Sequence, residues 1–402
     1  MRYAYNSITT GVFIGLSLLA FKKQHFKIEK NLIFPMLLYV LMIASLFWTT
    51  DFPETKSALF KMFPLLLVPL CFMINKPLSK EQKQKIMIYY GYAFVLFAFF
   101  YLLRATIRFV LNGDASVFFY HDLVTEDVNA IHVSVYMVLA YFSFVIQPAK
   151  TLYEKGALVL LAITIVLLSS KNVVVVFLLL NLTYLLFWFN SNNKKKILVL
   201  IMGIGLLSSV VLFQKIKSRF DIEITSNLKE NTINQEISGS KGLVYNVTVG
   251  EAWNNERFRE DDFFPGVALR VYQFRIFLEM MNTDQVYVTG YGLNATKHKI
   301  KEKRIEHNLY QGYDEFNFHN QYVQFFAELG VFGFLLIITM VVINFKNGLN
   351  NKDFIHISFA VLMISLFLTE SFLSRQRGII FFMTLYCLFN ASKTIRPNTE
   401  NE

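Results

Sequence analysis

Charge is scarce in this sequence. Only 17% of its 402 residues are Asp, Glu, Lys or Arg, where a soluble domain carries about a quarter. Hydrophobic residues make up 54%, so a single water-soluble core is excluded. Cysteine is nearly absent. Cys71 and Cys387 both fall in apolar runs and belong to no CxxC or metal-ligand spacing, which removes a disulfide framework. No Asp/Glu cluster has the spacing of a divalent-metal cage, so neither a metal nor another cofactor is expected. Gly290-Tyr291-Gly292 is too short for a nucleotide loop. Residues 1–21 lack a basic stretch followed by a small-residue cleavage site, and read as a retained span. Internal repeats, the mark of many transporters, are not evident.

What is present is a series of long apolar runs. An all-α polytopic membrane protein follows, with about eleven transmembrane helices at roughly 5–21, 32–50, 57–75, 86–110, 129–147, 157–170, 172–190, 197–213, 320–345, 354–370 and 378–391. Residues 157–190 are too long for one crossing, so a tight turn is expected at Lys171. The 42 phenylalanines read as lipid-facing and interhelical packing. The division is an N-terminal bundle at 1–213, a large loop at 214–318 between the eighth and ninth helices, C-terminal helices at 319–391, and a tail at 392–402.

The formal net charge of +10 sits in short loops, which argues topology and not nucleic acid. Lysines such as Lys22, Lys83, Lys155, Lys195 and Lys346 alternate with loops poor in cations; residues 112–128 hold four acids and no Lys or Arg. Basic loops face the cytoplasm by this rule, leaving the N-terminus and the large loop outside and the tail inside. Within the large loop, 214–262 is polar and reads as a lid or a partly disordered stretch. Residues 264–283 carry a helix-like apolar face from Val267 to Met281, consistent with a helix lying on the membrane surface.

Chemistry concentrates where the polar loop re-enters the membrane, at Phe318-His319-Asn320-Gln321-Tyr322. Imidazole exchanges protons near neutral pH, so His319 is the candidate general base, against the plainer reading that it caps the helix. Glu328, nine residues on, needs a cation, another partner or a water-filled cavity once buried. Arg270, Arg275, Lys171 and the i,i+4 pair Arg104 and Arg108 lie on the outer side, where few cations are expected. Guanidinium matches phosphate geometry, although snorkelling to lipid headgroups also accounts for Arg104 and Arg108. A base beside several cations suits an anionic lipid such as a polyprenyl diphosphate carrying a sugar.

These residues also form a pattern. His319-Asn320-x-Tyr322 followed by Glu328-x-Gly330-x-x-Gly333, with Arg270 about fifty residues upstream and Gly290-x-Gly292 between, resembles the O-antigen ligase and O-antigen polymerase superfamily of bacterial membrane glycosyltransferases. Glu370-Ser371-Phe372-Leu373 and Arg375-Gln376-Arg377-Gly378 look like a late segment of some members. The resemblance implies that His319 activates the acceptor hydroxyl and that Arg270 holds the diphosphate of an undecaprenyl-linked glycan. It implies support from Asn320, Tyr322, Glu328, Gly290 and Gly292, and a metal-independent, inverting transfer at the periplasmic face of the cytoplasmic membrane. Acceptors in this class are the lipid A core, a protein or another glycan, which separates ligase from polymerase. Three positions depart from the pattern. Ser170-Lys171 stands where members have Ser-Arg, Phe274 where they often have Trp, and the proline that often precedes GxG is missing. Members commonly have about twelve spans, and the missing first one fits an outside N-terminus. A lipid-linked glycan transporter and a membrane scaffold are the rival classes; the first needs charges in mid-span, which are few, and the second leaves His319 and the outer cations without a role.

Overall fold

The computed structural model describes residues 3–125, 128–189, 225–234, 238 and 243–391. The span expected at 197–213, the start of the 214–262 stretch and the 392–402 tail lie outside them. Each apolar run within the described residues is helical: Tyr3–Leu19, Lys30–Ala44, Phe52–Met62 with Pro64–Ile74, Lys80–Asn112, Ala130–Val145, Leu152–Leu167, Lys171–Thr183, Gln321–Asn350, Phe354–Thr369 and Gln376–Asn390. Among the described residues, five helical stretches are long and apolar enough to cross a membrane, and shorter apolar helices accompany them. The architecture is that of a polytopic helical membrane protein.

Local chemistry sets the ends. Ser79 and Gln82 form a capping box on the 33-residue helix Lys80–Asn112, which stops at Gly113 in the left-handed region. Pro64 interrupts the third apolar run at Phe63, because its nitrogen cannot donate to the preceding turn. The helix Leu152–Leu167 ends in a turn, with Ser169 at φ 50, and Lys171 opens the next helix.

Two cores result. The larger lies among the apolar helices and includes Phe142, Phe359, Phe367 and Phe382, all fully buried. The smaller is built from residues 247–327, where Ala268, Tyr272, Ile276, Phe277, Met280 and Met281 of the helix Gly266–Asp284 pack on Phe258, Phe264, Tyr291 and Phe318. Of the apolar face read at 264–283, Phe277 and Met281 pack into this core, whereas Val267, Phe274 and Leu278 stay exposed. A polar knot ties this helix to Lys297–Glu306. Glu279 receives Arg275 at 2.7 Å and Lys303 at 3.2 Å, and His307 Nε2 lies 3.2 Å from it. Burial pushes the His307 imidazole below its ordinary value. It is neutral at neutral pH, with Nδ1 free to accept from the Tyr272 hydroxyl at 3.0 Å.

The all-α expectation is corrected at one place. Thr232–Ile233, Tyr245–Asn246 and Asp262–Phe263 form a three-stranded sheet, antiparallel between the first two (Thr232 opposite Asn246) and parallel between the last two (Tyr245 opposite Asp262). Two-residue strands carry too little alternation to be legible as such.

Candidate active site

The signature helix Gln321–Asn350 begins at Asn320, whose side chain accepts from the backbone N–H groups of Tyr322 and Val323. Asn320 is thus the cap, and His319 is released from that task. The Asn320 amide also donates to Leu368 O, and the Tyr322 hydroxyl to Ile364 O, which locks the start of this helix to Phe354–Thr369. His319 itself sits at φ 45, a left-handed conformation uncommon for a side-chain-bearing residue. It is held there because Phe318 is buried on one side and Asn320 is fixed on the other.

Phe354–Thr369 ends at Thr369, and the turn that follows delivers Glu370. One carboxylate oxygen of Glu370 pairs with Arg270 Nη2 at 3.1 Å, and the other lies 3.5 Å from His319 Nδ1. The second distance is an electrostatic contact too long for a hydrogen bond, and Nδ1 has no such partner. Arg270 further donates through Nε to Thr369 O and through Nη1 to Gly266 O. Three of its five N–H groups are engaged, and two remain for an incoming anion. Burial alone would raise the Glu370 carboxyl, but His319 and Arg270 outweigh it and hold it below the usual carboxylate range. An ionised Glu370 favours the proton on His319 Nδ1, so Nε2 is the nitrogen that can accept one.

Lys171 joins this neighbourhood through its helix. The adjacent Asn172 donates to Thr369 Oγ1 at 2.9 Å and to Ser365 O, and accepts from Ser365 Oγ. The turn at 369–370 thus has the Arg270 helix, His319 and the start of the Lys171 helix around it. The other expected cations are elsewhere. Arg104 and Arg108 donate to Val124 O and Asp122 O and pin the 113–125 loop. Arg275 pairs with Glu279 and donates to Asn255 O.

Among the described residues Glu328 is in no ion pair. Its carboxylate accepts from the Gln324 amide at 2.6 Å. The Gln324 carbonyl in turn accepts from Phe318 N, just before His319, and lies 3.5 Å from the Ser371 hydroxyl, just after Glu370. Gln321 accepts from Leu373 N. One face of the signature helix therefore fixes both halves of the His319–Glu370 contact.

The glycines solve a crossing problem. At Gly330 (φ 66, ψ −163) the signature helix breaks, and the carbonyls freed there accept from the GxG segment: Tyr291 N to Ala327 O and Gly292 N to Glu328 O. A Cβ on Gly330 would stand 2.0 Å from Val288 O, one on Gly290 2.5 Å from Glu328 C, and one on Gly292 2.3 Å from Thr49 Oγ1. The far side of this segment rests on residues 45–55: Trp48 Nε1 donates to Thr289 O, Thr50 N to Tyr291 O and Thr55 Oγ1 to Leu293 O.

Glu370, Gln321 and Gln324 were not among the site residues expected from the sequence. Glu370 stood only in a recognised late segment, with nothing to pair it across 100 positions with Arg270; the glutamines read as ordinary polar residues of a helix start. No curated protein matches the chain. The family model for O-antigen ligase matches residues 156–338, the stretch that holds Lys171, Arg270, both GxG glycines and His319, and over that stretch the chain is similar to this family.

Proposed function

We propose that the chain transfers an oligo- or polysaccharide from undecaprenyl diphosphate to a hydroxyl acceptor at the periplasmic face of the bacterial cytoplasmic membrane. The observation that carries this reading is the Glu370 carboxylate, which links the Arg270 guanidinium and the His319 imidazole into one cluster. His319 Nε2 takes the acceptor proton as the oxygen bonds the anomeric carbon. The bond from that carbon to the diphosphate oxygen breaks, and undecaprenyl diphosphate leaves with the electron pair. A single displacement of this kind inverts the anomeric centre. Arg270, through its two unengaged N–H groups, and Lys171 offset the negative charge that grows on the leaving group. Lysine does so as a point charge and not as a fork. Glu370 is a positioning residue that holds the imidazole tautomer and orients Arg270.

The test is the glycan profile of cells lacking this protein, complemented with wild type or His319→Ala. Removing a general base costs on the order of 10²- to 10⁴-fold in rate, so His319→Ala should accumulate in the membrane without restoring the glycan. Long chains left on undecaprenyl and absent from the lipid A core or a protein identify a ligase. Single repeat units left there identify a polymerase. Wild-type glycan in the His319→Ala strain overturns the assignment and leaves the transporter and scaffold classes standing.

A further inference from the structure

The smaller core carries a cavity of about 230 Å³ that the His319 cluster does not use. Its floor is the three-stranded sheet, through Tyr245 and the buried Asn246; its walls are the end of the helix Val249–Asn254 and the 255–262 loop. Four charged side chains line it, Glu251 and Asp262 against Arg257 and Arg259, so the lining has no net charge. Neither arginine is in an ion pair among the described residues; Arg259 instead lies over the Tyr245 ring at 5.8 Å. The Asn255 amide adds a group that can both donate and accept, while the Asn246 amide accepts from Asn234 and donates to Thr232.

We infer that this cavity is a subsite for one neutral sugar ring of the glycan, an inference that rests on the glycan-transfer reading. A balanced lining disfavours a phosphate or another small anion, which would meet two carboxylates. It suits a ring whose hydroxyls donate to carboxylates and accept from guanidinium and amide groups. The tyrosine supplies an aromatic edge for the apolar side of such a ring. The size is below the usual range for pockets that hold drug-sized ligands, about 300–1,000 Å³, and fits one ring and not a whole repeat unit. The cavity is also coupled to the reacting centre by one rigid element. The helix Gly266–Asp284 places Arg270 against Glu370, and five residues on, its Arg275 donates to Asn255 O and Ala252 O in the cavity wall. Binding away from the reacting centre holds the chain in register for transfer. The sugar belongs either to the lipid-linked donor or to the acceptor.

The experiment uses full-length protein in nanodiscs and, as probe, the neutral oligosaccharide released by mild acid from the host's own lipid-linked glycan. Binding by saturation-transfer NMR is measured in a His319→Ala background, which stops turnover. Tyr245→Ala and Arg257→Ala should each weaken binding by about tenfold, the scale of one aromatic or charged hydrogen-bonding contact, while Tyr245→Phe binds nearly as the parent does. With His319 restored, KM should rise by a similar factor with kcat little changed: KM for the lipid-linked substrate if the ring is the donor's, KM for the acceptor if it is the acceptor's. Unchanged binding and unchanged KM in both variants, with melting temperatures like the parent's, overturn the subsite while leaving transfer intact. Tyr245-dependent binding with no transfer to any acceptor overturns the transfer reading and leaves the sugar subsite standing.

Discussion

Two residues a hundred positions apart, Arg270 and Glu370, define what His319 can do. A neutral imidazole can carry its proton on either ring nitrogen, and its partners decide which. With an ionised carboxylate 3.5 Å from Nδ1, Nε2 becomes the acceptor. Glu370→Gln keeps the shape and removes the charge, and should lower kcat by on the order of 10²-fold or more. A kcat within a factor of two of wild type in a membrane-reconstituted transfer assay would rule out the positioning role. The same residue gives a pH signature. Its folded-state value is held below the usual carboxylate range, so its stabilisation is fully present above the unfolded value, about pH 4.3. It is lost as pH falls through the depressed folded value. The gap in melting temperature between wild type and Glu370→Gln should therefore be constant at neutral pH and close on acidification below that range. A gap that stays open there contradicts the linkage.

At the scale of elements, the signature helix is two helices with a designed break. The break at Gly330 frees carbonyls of residues 327 and 328, and the GxG segment takes them up. The ExGxxG and GxG motifs are thus one crossing read twice, and its chemistry is backbone packing. Gly330→Ala places a Cβ 2.0 Å from Val288 O and, at φ 66 and ψ −163, forces a side chain into a backbone region that essentially only glycine occupies, a strain of roughly 1–3 kcal/mol. Gly113→Ala, at φ 69 with nothing within 4 Å of its Cβ, suffers a left-handed backbone penalty alone. Thermal melting of both in nanodiscs should show Gly330→Ala as much the less stable. Equal losses would mean that the crossing is not tight. The spans and this motif were legible because apolar runs and close glycines leave direct marks in sequence. The role of Gln324 was not, since an amide one turn into a helix gives no sign that it bonds residues 318 and 371 at once.

For the whole molecule, the arrangement of charge between helices makes a claim about sidedness that labelling can check. If basic loops are cytoplasmic, Lys301→Cys in intact spheroplasts should react with a membrane-impermeant maleimide, whereas Lys85→Cys and Lys352→Cys should react only after permeabilisation. The native Cys71 and Cys387 are buried and should stay silent in each case. Labelling of position 352 from outside would reverse the topology and remove the periplasmic site.

Sequence by itself determined the membrane class and the approximate positions of the helices, and pointed to the stretch proposed as the site. Hydrophobicity and length are local quantities, and a helix satisfies its own backbone within one segment. Only the tertiary structure decided which cations share the site. Arg104, Arg108 and Arg275 match Arg270 in charge and in the sidedness expected from the sequence, yet loop carbonyls and Glu279 engage them. Arg270 alone of these guanidiniums meets Glu370. Which charge finds which partner depends on how helices distant in sequence pack side by side, and nothing in the local pattern encodes that choice.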